Sequence, residues 1–163
     1  MQISRFTDLG LRVLMYLTQP ARATPFTINE MANELMVSHN HLMKVVHFMA
    51  KQGWIITIRG KGGGIRLAQS SQEYRLGRTI KTLEQNHTLV DCGTPPCILR
   101  NTCTLKSALD SALQVFFDHL DQYTLADMIK MPVQQAFHSK NRIPVLDLMS
   151  NLQDINPKSL PTT

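Results

Sequence analysis

The sequence predicts a mainly α-helical fold with one small β-hairpin. Three observations carry that reading. Apolar residues recur at helical spacing in several stretches, a glycine-rich basic turn separates two short β-branched runs, and the longest amphipathic stretch follows a loop holding all three cysteines. With 163 residues, the chain has room for one core-bearing domain of about 130 residues plus a tail.

The first helical period spans residues 3–17, where Ile3, Phe6, Gly10, Val13 and Leu17 form a stripe widened by Leu9 and Leu14. Arg5, Asp8 and Arg12 occupy the opposite face. For Asp8 the plain reading is an ion pair one turn away, worth about 0.2–0.5 kcal/mol. A loop from Gln19 to Phe26 with two prolines comes next. Thr27-Ile-Asn-Glu30 then has the form of a capping box and opens a short helix to about Leu35. After the turn Met36-Val37, Ser38 is placed to cap another helix, whose buried stripe is Leu42, Val45, Val46 and Met49. Asn40, His41, Lys44 and His47 point outward, and Gly53 marks the stop. Two short helices joined by a tight turn over 28–51 match a helix-turn-helix, a pattern that ordinary helical proteins also show.

The segment after Gly53 narrows the choice. Trp54–Ile58 reads as a strand, Arg59-Gly-Lys-Gly-Gly-Gly64 as a basic turn, and Ile65–Ala68 as the returning strand, so 54–68 forms a hairpin where a wing would stand. Glycine allows close approach to a phosphate backbone, and Arg59 and Lys61 supply charge for it. A nucleotide-binding P-loop is excluded, because its spacing and its following helix are missing. Charge agrees. The net charge of +5 is concentrated in residues 1–80, with ten Lys or Arg against four Asp or Glu; residues 81–163 carry seven against eight. The basic half is the candidate nucleic-acid face.

A short helix is expected over Leu76–Gln85, and the strongest one from Thr104 to about Tyr123. There Leu105, Ala108, Leu109, Ala112, Val115, Phe116 and Leu120 mark one face, extended by Leu113 and Phe117. That stripe is wider than one intrachain neighbour needs, so the helix is read as both core and dimer seam. Thr124–Ile129 adds a further turn. The expected organisation is a winged helix-turn-helix domain with a long dimerisation helix over 2–130, and a weakly ordered tail over 131–163 with a helical patch at 143–152.

Cys92, Cys97 and Cys103 have a C-x4-C-x5-C spacing. The opening MQISRFTDLGLRVLMYL lacks a basic leader, apolar core and cleavage site, and no run of 18 or more apolar residues occurs. A cytoplasmic protein without a membrane segment is therefore expected, and clustered cysteines in a reducing compartment point to a metal site or a redox-active thiol. Structural zinc usually draws on C-x2-C pairs, which are missing. Iron–sulfur clusters accept longer looped spacings. Gly93-Thr-Pro-Pro96 forces such a loop, and Cys103 stands just before a helix whose positive end favours thiolate. A fourth ligand remains open: a non-cysteine side chain, a solvent molecule, or a group from another subunit.

Taken in order, FTDLGLR (6–12), VSHNHLMKVV (37–46), IRGKGGGIRL (58–67), the three cysteines and DQYTLADM (121–128) resemble the Rrf2 family of bacterial transcription regulators, most closely its nitric-oxide-sensing repressors. The resemblance covers about residues 1–130. It implies a homodimer on double-stranded operator DNA and a 4Fe-4S cluster, with 2Fe-2S as the alternative. Cys92, Cys97 and Cys103 would be the ligands, with Asp8 of the other subunit as the fourth. Departures sharpen the choice. Lys106 stands where the family's cluster-biogenesis regulators carry a histidine ligand, and Asp8 and Asn33 stand where a 2Fe-2S redox regulator uses glutamate and histidine. His39 replaces an arginine common in close relatives. The expected function is therefore repression relieved when nitric oxide reaches the cluster, with Ser38, Asn40, His41, Lys44, Arg59 and Lys61 contacting DNA. Sensing of cluster supply or oxidants is the alternative within regulation, and an iron–sulfur redox protein the alternative outside it. Enzymatic catalysis is not expected.

Overall fold

Ser4 sets the start of the first helix, because its Oγ accepts the Thr7 N–H at 3.1 Å. In the computed structural model, which describes residues 2–19, 24–85, 88–100 and 102–129, α1 spans Arg5–Leu17, α2 Ile28–Glu34 and α3 His39–Lys51. Strands β1 (Ile55–Ile58) and β2 (Gly64–Leu67) come next, then α4 (Leu76–Glu84), α5 (Thr104–Leu120) and α6 (Leu125–Met128). The expected tail, 131–163, and its helical patch lie outside the described residues.

Local signals place α2 and α3 where the sequence predicts them. Thr27 and Glu30 close a reciprocal capping box at 3.2 and 3.3 Å, and Ser38 Oγ accepts the His41 N–H at 3.3 Å. Leu42, Val45, Val46 and Met49 are all buried. They join Val13, Leu14, Met31, Ile55, Ile65, Leu83 and Leu125 in the main core, where each fully buried large apolar side chain contributes about 1.5–3 kcal/mol. Ile3 precedes α1 rather than belonging to it, and Thr7 and Tyr16, absent from the expected stripe, are buried.

Between α2 and α3, Met36 adopts φ +54 while 72% exposed. A left-handed backbone strains a side-chain-bearing residue, and here no burial offsets it. Met36→Gly is expected to raise stability by about 0.5–1 kcal/mol, read as a higher urea midpoint at unchanged m value.

β1 and β2 pair antiparallel, Ile55 opposite Leu67 and Ile58 opposite Gly64. A bridge without a sequence signal adds Phe26 to this hairpin: Phe26 N donates to Ile65 O at 3.1 Å and Ile65 N to Phe26 O at 2.7 Å. The base of the wing is thus tied to the segment preceding α2. Tyr74 anchors the exit of the hairpin. Its buried hydroxyl donates to the Trp54 carbonyl at 2.5 Å, and burial raises its pKa above 10.0.

α5 differs from expectation in which face it buries. Leu113 and Phe117, expected to extend the stripe, are its buried residues and pack with Leu76 and Ile80 of α4. Leu105 and Val115 are 65% and 66% exposed, and Ala108 and Ala112 are also exposed. The helix ends at Leu120 rather than Tyr123. Beyond it, Leu76 N donates to Tyr123 O and Leu125 N to Tyr74 O, both at 2.9 Å, joining the end of α5 and the start of α6 to the exit of the wing.

Candidate nucleic-acid interface and cysteine loop

The exposed face of α3 carries Asn40, His41, Lys44 and His47, as its apolar spacing requires. Ser38 is also exposed, but its Oγ serves as the helix cap. At the wing tip, Gly60 and Gly62 take φ +95 and +80, and Gly63 N donates to Gly60 O at 3.0 Å. A Cβ on Gly63 would lie 2.2 Å from the Ile58 carbonyl oxygen, so the tip turns only with glycine. This tight turn presents Arg59 and Lys61 to solvent. Lys44 on the helix face and Arg59 and Lys61 at the wing tip are exposed cations suited to phosphate contacts. Lys61→Ala is expected to weaken operator binding across sequences about uniformly and to lower the slope of log K against log salt by about 1, measured by anisotropy titration over a salt series.

Asp8 lies exposed on the polar face of α1. Arg12 Nη1 pairs with Asp8 Oδ2 at 3.4 Å, and Arg12 Nη2 donates to the Leu35 carbonyl at 2.6 Å. Within one chain, then, the plain ion-pair reading of Asp8 is what the geometry has. Arg12 ties it to the carbonyl that ends α2, at the helix-turn-helix turn. Arg5, Asp8 and Arg12 face Ser38, His41 and Lys44 across a cleft of about 560 Å³ floored by Phe6, Leu9, Val37 and Val45. The Leu35 contact has no sequence signal, because it joins residues 23 positions apart.

The cysteine loop is built from short turns. Cys97 N donates to Cys92 O at 3.2 Å, Arg100 N to Cys97 O at 3.2 Å, and Thr102 N to Leu99 O at 3.0 Å. The Thr94–Pro95 bond is cis. All three thiols are free, Cys97 exposed and the other two half-buried. Cys103 caps α5, its Sγ accepting the Lys106 N–H at 3.4 Å. Lys106 itself pairs with Asp110, and that hydrogen bond raises its pKa. Among the described residues no three His, Cys, Asp or Glu side chains converge as a metal-ion site. As chemistry the donor set fits an iron–sulfur cluster: three thiols on one loop, one of them at the positive end of a long helix. As a cage it is incomplete within one chain.

A helix-turn-helix with an exposed polar second helix, a glycine-tipped basic wing and a cysteine loop leading into a long helix occur here in one chain. The profile of the Rrf2 family, described as iron-dependent transcriptional regulators, matches residues 3–131. The chain belongs to the Rrf2 family. Among Rrf2-type regulators, the HTH-type transcriptional regulator NsrR of Shouchella clausii (strain KSM-K16) is 39% identical over 132 residues, covering 79% of this chain and 89% of that protein. Two solved structures share the fold. CymR, the global cysteine regulator of B. subtilis, has a TM-score of 0.64 at 23% identity, over 78% of this chain and 95% of its own. IscR of T. potens has a TM-score of 0.63 at 21% identity, over 90% and 96%. The protein is thus a DNA-binding transcriptional regulator of the Rrf2 family, similar to NsrR, and not an enzyme. Among the described residues no helix is long and apolar enough to cross a membrane.

Proposed function

We propose that the protein is a homodimeric repressor that senses nitric oxide through an iron–sulfur cluster and then releases its operator. The observation that carries this reading is the loop 92–103, where every cysteine of the chain is a free thiol and the last one caps α5. Cys92, Cys97 and Cys103 would hold a 4Fe-4S cluster, with Asp8 of the second subunit as the fourth ligand. When bound, the group supplies irons open to attack by a small ligand, most readily at a carboxylate-held iron, since carboxylate is a harder partner than thiolate. The chain's own residues carry the rest. Asp8 is shared between that ligand role and Arg12, and Arg12 reaches the Leu35 carbonyl at the turn before α3. A change at Asp8 is therefore felt where the recognition helix is set. The exposed row Leu105, Ala108, Ala112 and Val115 on α5 supports the dimer, because it leaves a continuous apolar face for a second copy.

Asn40, His41 and Lys44 would then enter successive major grooves while Arg59 and Lys61 hold the backbone beside them, with half-sites about 34–36 Å apart. Operator affinity of anaerobically purified, cluster-loaded protein should exceed that of apoprotein measured side by side; equal affinities would contradict the proposal. The iron dependence in the family's description favours a second reading, in which cluster supply rather than nitric oxide is the signal. Under that reading, operator binding tracks cluster occupancy and is unchanged by nitric oxide at fixed occupancy.

A further inference from the structure

We propose that Met43 reads a thymine: its side chain packs against the 5-methyl group of one thymine in the major groove of each half-site. The proposal rests on α3 being the recognition helix. Met43 is 47% exposed, whereas Leu42, Val45, Val46 and Met49 of the same helix are buried and Phe48 is half-buried. It is the one large apolar side chain that α3 leaves in solvent. Its neighbours at helical spacing are His39, Asn40 and His47, all exposed, and Val46, which is buried, so Met43 is an apolar group at the border of the exposed polar row.

The other flank of α3 borders α1. His41, Lys44 and Val45 line the cleft shared with α1, while Met43 is not among the residues facing it. Met43 also lies in the N-terminal half of the helix, the part that contacts base edges in helix-turn-helix proteins. On the major-groove edge the thymine methyl is the apolar feature, and apolar side chains mark it by contact. Asn40, three residues earlier, is the residue type that pairs bidentately with adenine N6 and N7. Adenine's partner is thymine, so Asn40 and Met43 together are matched to A·T pairs at the same or adjoining positions.

The test uses the full-length protein and an operator selected by it from a random duplex pool. Each thymidine of the selected half-site is replaced in turn by deoxyuridine, which removes only the methyl group. One replacement should weaken wild-type binding about fourfold, the value of one buried methyl group. Met43→Ala should bind the thymidine and deoxyuridine duplexes alike at that position, and Met43→Leu should keep the discrimination. Because Met43 is exposed, the variants should melt with the wild type, which separates a lost contact from a lost fold. The proposal is overturned if wild type is indifferent to every deoxyuridine, or if Met43→Ala loses the same factor as wild type. Asn40→Ala distinguishes the underlying reading. If Asn40→Ala weakens binding but no deoxyuridine does, only the role of Met43 fails; if neither matters, or no duplex is enriched, α3 is not the reader and both fail.

Discussion

Cys97→Ser is expected to leave the protein folded while abolishing both cluster assembly and the nitric oxide response. Cys97 is exposed, and the bond its backbone makes to Cys92 O does not involve the thiol, so serine fits the loop without repacking it. What serine lacks is the soft thiolate that iron in a cluster selects. The variant's melting curve should overlay that of wild-type apoprotein. Its visible absorbance after anaerobic purification should be gone, and its operator affinity should fall to the apoprotein level. For a coupling of typical size that is a loss of about 5- to 150-fold. An unchanged cluster spectrum in Cys97→Ser would remove this residue from the ligand set.

Gly77→Ala is expected to be strongly destabilising. A Cβ at Gly77 would lie 2.1 Å from the Phe117 carbonyl oxygen and 2.8 Å from the Asp121 amide nitrogen, both backbone atoms of the α5 end. Neither can swing aside as a side chain would. Around this contact, Asp121 Oδ1 accepts the Arg78 N–H at 2.9 Å, Arg78 pairs with Asp121 at 3.0 Å, and Leu113 and Phe117 pack on Leu76 and Ile80. Forcing α4 and α5 apart loosens all of these together. A cost of about 3 kcal/mol is expected, at the upper end for overpacking, with the melting temperature lowered by roughly 6–12 °C. A melting curve like that of the wild type would mean that the two helices do not approach so closely.

Much of the architecture was legible because its signals are local. The Thr27–Glu30 capping box, the Ser38 cap, the stripe Leu42-Val45-Val46-Met49 and the glycine turn at 60–64 each act within a few residues, and each stands where spacing placed it. The face of α5 was harder. It has apolar residues on both sides of its wheel, and spacing alone does not say which side meets α4. The side with Leu113 and Phe117 does, which leaves Leu105 and Val115 exposed. Long-range ties escaped for a related reason: the Phe26–Ile65 and Arg75–Thr124 bridges join backbone groups whose side chains carry no pairing signal. At the site, the thiols were visible as a group from their spacing, and the proposed ligand role of Asp8 came only through family resemblance. Its contact with Arg12 is a helical i, i+4 pair that sequence does show; the reach of Arg12 to Leu35 is not.

The claim that cluster and operator are linked through this chain is tested most directly by one anaerobic titration. Nitric oxide is added stepwise to the full-length, cluster-loaded protein bound to fluorescent operator, and cluster absorbance and anisotropy are read in the same cuvette. The account predicts that both signals fall together over the same range of added nitric oxide. Loss of absorbance with the operator still fully bound would contradict it.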